Sequence, residues 1–168
     1  MEKAHPVMKL LDAIENLFAS GADEDTSEDE LLALLDGLCW SKIVNSVVHN
    51  AVPVYEYTVD GPLRYRGEKL VERNAFQLYQ QTQPAQIVEE TTYQRCLELW
   101  ISEDMELFVA SCFRISSCST VTEYRDFKGH DWLDTELEID FATLARNLKT
   151  LCELADASKT PFYEVRCK

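Results

Sequence analysis

The chain has 168 residues, of which 46% are hydrophobic and 10% aromatic, and a formal net charge of -14. That supply of apolar residues, with only 5 Gly and 5 Pro, supports one buried core and excludes a disordered or collagen-like chain. The charge disfavours direct contact with a nucleic-acid backbone, where affinity comes from Lys and Arg displacing counterions.

From the N-terminus, Val7, Leu10, Leu11, Ile14, Leu17 and Phe18 recur at helical spacing over residues 6–19, with Pro6 suited to a first turn and Gly21 to a stop. An acidic octet occupies 23–30. Within it Ser27 and Glu30 have capping-box spacing ahead of the leucines at 31–35, so a second helix is expected over 28–37. A third is expected over 41–49.

After Pro53 the period turns toward alternation. Residues 54–59 and 63–66 read as strands joined by Asp60-Gly61-Pro62. Val71, Ala75, Leu78 and Tyr79 can share a helix face, which points to a helix over 68–81. Long runs rich in β-formers follow at 88–101, 106–118 and 119–127, closely linked, and should pair as an antiparallel meander. Residues 134–141 alternate strictly and read as another strand. Leu144, Ala145, Leu148, Leu151 and Cys152 then mark a helix over 141–154, with Asp140 placed to cap it, and 162–165 suggest a short last strand.

The expected fold is therefore α+β: N-terminal helices, an antiparallel β-meander of about five or six strands, and a C-terminal helix packed on the sheet. An acidic helical segment, 1–52, precedes a sheet-and-helix part, 53–168, and the two are expected to form one compact domain. No apolar run approaches the roughly 18 residues of a membrane span. The opening Met-Glu-Lys-Ala-His-Pro lacks the features of a secretory signal, so the expected address is cytoplasmic, with no membrane partner.

The 6 cysteines contain no Cys-x-x-Cys pair and are expected to be reduced and mostly buried, with neither metal nor other cofactor implied. Counted as a calcium loop from Asp23, the octet puts Glu28 where glycine is needed and Leu34 where glutamate is needed, and the match fails. Phosphate-loop, dinucleotide and hydrolase-elbow motifs are all missing. His130 beside Asp131 is the one local pair suited to acid–base chemistry, and Lys-Gly-His-Asp also reads as an ordinary turn.

The charge is uneven: residues 1–60 alone carry -9. In a strand, Asp134, Glu136, Glu138 and Asp140 would stand in a row about 6.7 Å apart, resembling the charge array of a nucleic-acid backbone, with Asp131 extending it. Charge of this kind also guards an edge strand or keeps a small protein soluble. The candidate partner-binding residues are Asp23, Glu24, Asp25, Glu28, Asp131, Asp134, Glu136, Glu138 and Asp140. Tyr55, Tyr57, Arg64, Tyr65 and Arg66 form a candidate second interface, where a homodimer could also dock.

The expected function is a non-catalytic, acidic protein-binding module facing a basic protein surface, such as a nucleic-acid-binding groove, in the manner of a nucleic-acid-mimicking inhibitor of anti-restriction or anti-CRISPR type. The alternatives are an enzyme or small-ligand binder using His130 and Asp131, and a homo-oligomeric scaffold.

Overall fold

The structure is a computed structural model describing residues 5–21, 27–60, 64–127 and 138–157, with the backbone alone for 58–60, 64–70 and 156–157. Three helices come first: α1 (Pro6–Ser20), α2 (Glu28–Ala33) and α3 (Trp40–Asn50). Pro6 opens α1, and the His5 side chain caps it by accepting from Val7 N at 3.2 Å. Ser27 caps α2 by accepting from Glu30 N at 3.1 Å. That helix is shorter than the leucine run suggests, dissolving into turns that end at Gly37, whose φ of 84° suits glycine.

The strands are β1 (Val52–Asp60), β2 (Arg64–Thr82), β3 (Gln86–Val88), β4 (Thr91–Ser102), β5 (Leu107–Ser116) and β6 (Val121–Phe127), followed by helix α4 (Phe141–Ala157). They form one antiparallel sheet in the order β1-β2-β4-β5-β6, with β3 paired to the start of β4. The fold is the expected α+β arrangement, its sheet curled nearly into a barrel. Phe127 N donates to Glu56 Oε2 at 2.8 Å, and the Tyr57 and Tyr124 rings meet edge-on at 6.2 Å, drawing β6 toward β1.

Three expectations about the strands need correction. Residues 68–81 are strand, not helix, and belong to β2. The register slips between Gln77 and Tyr79, so a bulge at Leu78 breaks the alternation and gives the apolar residues their helix-like spacing. The run at 88–101 is split by a turn at Glu89 and Glu90, both at positive φ, where the sequence offers neither Gly nor Asn. Residues 138–140 are irregular, held against β2 by Glu138 N donating to Gln81 Oε1 at 2.6 Å and Asp140 N to Tyr79 Oη at 3.0 Å. The remainder of that expected strand, 134–137, and the one at 162–165 lie outside the described residues.

Alternation sends the two faces of the sheet into two cores. Leu78, Leu99, Ile101 and Val109 meet Leu10, Ile14, Phe18, Ile43, Leu144 and Leu148 of the helices. Across the sheet, inside its curve, Val54, Ala75, Trp100, Phe108 and Ala110 form a second cluster against Phe127. Ser46 Oγ donates to Leu151 O at 2.6 Å, tying α3 to α4, and Asn147 Nδ2 donates to Leu78 O at 2.8 Å, tying α4 to the bulge.

The expectation of reduced cysteines fails at Cys39, which is disulfide-bonded, whereas Cys96, Cys112, Cys118 and Cys152 are free thiols. Missing Cys-x-x-Cys spacing argues about metal ligands and says nothing of which thiols the fold brings together. Among the described residues, no helix is long and apolar enough to cross a membrane.

Candidate functional site

The concave face of the sheet holds a polar network that sequence reasoning missed. Glu98, in the middle of β4, is 1% exposed. A carboxylate taken out of water needs donors, and it has four bonds: Gln77 Nε2 at 3.0 Å, Trp100 Nε1 at 3.1 Å, Arg125 Nε at 2.8 Å and Arg125 Nη2 at 3.2 Å. Arg125 also donates to Glu123, lies 5.5 Å from the Trp100 ring centre, and leaves Glu123 to be shared with Arg114 at 3.6 Å. The visible signal was Glu98 itself, a lone charge in Cys-Leu-Glu-Leu-Trp-Ile, where apolar neighbours on both sides imply burial.

Burial opposes the Arg125 charge, but its hydrogen bonds to Glu98 and the charge of Glu98, with smaller help from Cys112 and Glu123, outweigh it and hold the guanidinium above its ordinary pKa. Cys112, whose Sγ donates to Glu123 Oε2 at 3.6 Å, is pushed up to about 12, first by burial and then by the charge of Glu98. Such a thiol is a poor nucleophile, because the thiolate is the reactive form.

Glu98, Cys112 and Glu123 offer ligand atoms within 4.8 Å of one another. The position between those carboxylates is taken by the Arg125 guanidinium, which supplies the positive charge a metal would bring. The set is therefore a satisfied ion-pair network, suited to fixing the barrel rather than to chemistry.

A second feature lies at the end of the sheet, where the turn after β4 meets β2. Glu72, Arg73, Asn74, Ser102, Glu103, Asp104 and Glu106 line a cleft of about 580 Å³. The Ser102 hydroxyl donates to Asp104, and Ser102 N to Glu106 O at 2.9 Å, which shapes the turn. Four carboxylates and one guanidinium are among its lining groups. That guanidinium, on Arg73, is spread over the Phe108 and Phe127 rings at 4.8 and 5.4 Å. Lys9 reaches Glu106 at 3.4 Å from α1, an exposed pair of small value.

Of the nine sequence-derived partner-binding candidates, three lie within the described residues. Glu28 is exposed in the first turn of α2, and Glu138 and Asp140 are exposed just before α4. Asp140 accepts from Thr143 Oγ1 at 2.6 Å, and this bond, helped by the backbone N–H groups of Thr143 and Ala142, holds its carboxyl below the ordinary 3.8. Asp23, Glu24, Asp25, His130, Asp131, Asp134 and Glu136 lie outside the described residues. Tyr55 and Tyr57 neighbour each other with ring centres 6.0 Å apart. Arg64 and Tyr65 pair with Asp60 and Val59 along β1, and Arg66 follows in β2.

Compared with known protein families, characterised proteins and solved structures, the chain matches none.

Proposed function

We propose that the protein is a non-catalytic binding module whose anionic surface docks against a basic protein surface, of the kind that otherwise holds a nucleic-acid backbone. What supports the reading is how the charge is divided. The charges of the concave-face network neutralise one another, Glu98 and Glu123 against Arg125 and Arg114, whereas Glu28, Glu103, Asp104, Glu106, Glu138 and Asp140 are exposed. The single observation carrying it is the acidic cleft beside the β4–β5 turn, lined by four carboxylates, of which Glu106 is paired with Lys9, and by one guanidinium engaged with two aromatic rings. An anionic field speeds encounter with a cationic partner and competes with a polyanion for the same groove.

The test is capture of basic proteins from a cell lysate on the immobilised chain, followed by elution with duplex DNA. The captured partner should be displaced by DNA, and its binding should fall steeply between about 50 and 200 mM salt. Charge reversal at Glu103 and Asp104, or at Glu136 and Glu138, should weaken capture while the fold persists. Capture that ignores salt, DNA and all four substitutions would refute the reading.

A further inference from the structure

Cys96 and Cys112 stand directly opposite each other at the centre of the β4–β5 hairpin. Both are free thiols, both are fully buried, and paired residues point to the same face, here the concave one. Ser102 N donates to Glu106 O in the same ladder, and pairs alternate in type, so the even step from there makes Cys96 and Cys112 a hydrogen-bonded pair with Cα atoms about 5.5 Å apart. That separation lies within the disulfide range of about 4.4–6.8 Å. Facing Cβ atoms in a sheet stand about 4.5–5.5 Å apart, against 3.5–4.5 Å in a disulfide, so a bond there requires a small approach of the strands and is easily reduced.

In the reduced state each thiol has its own partner, Thr82 Oγ1 at 3.9 Å for Cys96 and Glu123 Oε2 at 3.6 Å for Cys112. Those partners lie on β2 and β6, the strands outside the hairpin, so both side chains must leave them and turn toward each other before the bond can close.

We propose that Cys96 and Cys112 form a reversible cross-strand disulfide that covalently ties the central hairpin under oxidising conditions. The oxidant is a low-molecular-weight disulfide. One cysteine thiolate attacks it and releases one small thiolate; the second cysteine then attacks the mixed disulfide and releases the other. Two S–H bonds are lost, one S–S bond forms between the strands, and the small disulfide takes up two electrons and two protons. Burial makes the reaction slow in the closed protein, so local opening of the hairpin admits the oxidant. Cys118, exposed in the turn after β5, reacts first and serves as an internal control.

The experiment treats the full-length chain with glutathione disulfide, in native buffer and in urea below the unfolding transition, and maps unreduced peptides by mass spectrometry. Expected are a Cys96–Cys112 linked peptide, faster in urea, and a melting midpoint about 6–12 °C above the reduced chain, as a loop of about 15 residues implies. The C112S chain, oxidised and reduced in parallel, gives the share of that shift due to the Cys39 disulfide. The proposal is overturned if Cys118 is glutathionylated while Cys96 and Cys112 stay unlinked in both conditions, or if the linked chain melts no higher than C112S treated alike.

Discussion

Replacing Arg125 with Met tests the concave-face network most directly. The substitution keeps an apolar stem of similar length and removes both bonds to Glu98 and the one to Glu123. Glu98, 1% exposed, is left with Gln77 and Trp100 as donors and no opposing charge beside it. Breaking a buried pair on one side costs about 3–5 kcal/mol. Because the Arg125 side chain is 18% exposed, water partly replaces it and the lower end, about 3 kcal/mol, applies. For a chain of this size that is a fall of roughly 6–12 °C in Tm. Urea unfolding of the wild type, R125M, E98Q and E98Q/R125M supplies the cycle. The double variant, which keeps an acceptor but removes the charge, should recover more than half of the loss, and the R125M effect should change little with salt because the pair is shielded. A loss under about 1 kcal/mol, or a double variant no better than R125M, would refute the claim that the charge on Glu98 depends on Arg125.

Gly21→Ala should destabilise by about 1–3 kcal/mol, since an added Cβ would fall 2.1 Å from Cε2 of Phe141, itself packed edge-on against Phe18; pairing it with Phe141→Leu should restore part of the loss in thermal melts. Ser27→Ala should cost about 1 kcal/mol by removing the α2 cap, with Ser27→Asp close to neutral by urea unfolding. Asp140 has a depressed folded pKa, so its contribution is full above the unfolded value of 3.8 and fades as pH falls through the lower folded value. Asp140→Ala should therefore lower stability at neutral pH and narrow its gap to wild type in acid, measured by urea unfolding at a series of pH values.

Much of the scaffold could be read from the residues because it rests on local chemistry. Ser27 and Asp140 announce helix starts through their own side chains, and the apolar spacing in α1 and α4 reports the buried face. The β-runs at 106–127 kept their expected pairing since short turns leave few alternatives. What failed was set by tertiary context. The bulge at Leu78 imitates a helix period. The turn at Glu89 and Glu90 holds residues that rarely choose positive φ unaided. The concave-face network stayed hidden because its members come from β2, β4, β5 and β6, and only the pairing of those strands brings Gln77, Glu98, Cys112, Glu123 and Arg125 onto one patch of the sheet. The acidic cleft was missed for a similar reason: its carboxylates come from β2 and from the β4–β5 turn, more than thirty residues apart.

Ala75 pairs with Val52 on one side and with Ser102 on the other, so β2 changes partner at that residue. Its first half serves the β1 hairpin, and its second half is the strand that joins this hairpin to β4 and β5. The rungs from Thr82 to Ala75 join residues 14 to 27 positions apart and can follow soon after the hairpins, whereas the closure of β6 on β1, from Glu56 to Phe127, spans 71 positions. The sheet therefore behaves as one quick ribbon waiting on a slow seam. Amide exchange at Phe127 would report the moment at which the whole molecule becomes cooperative.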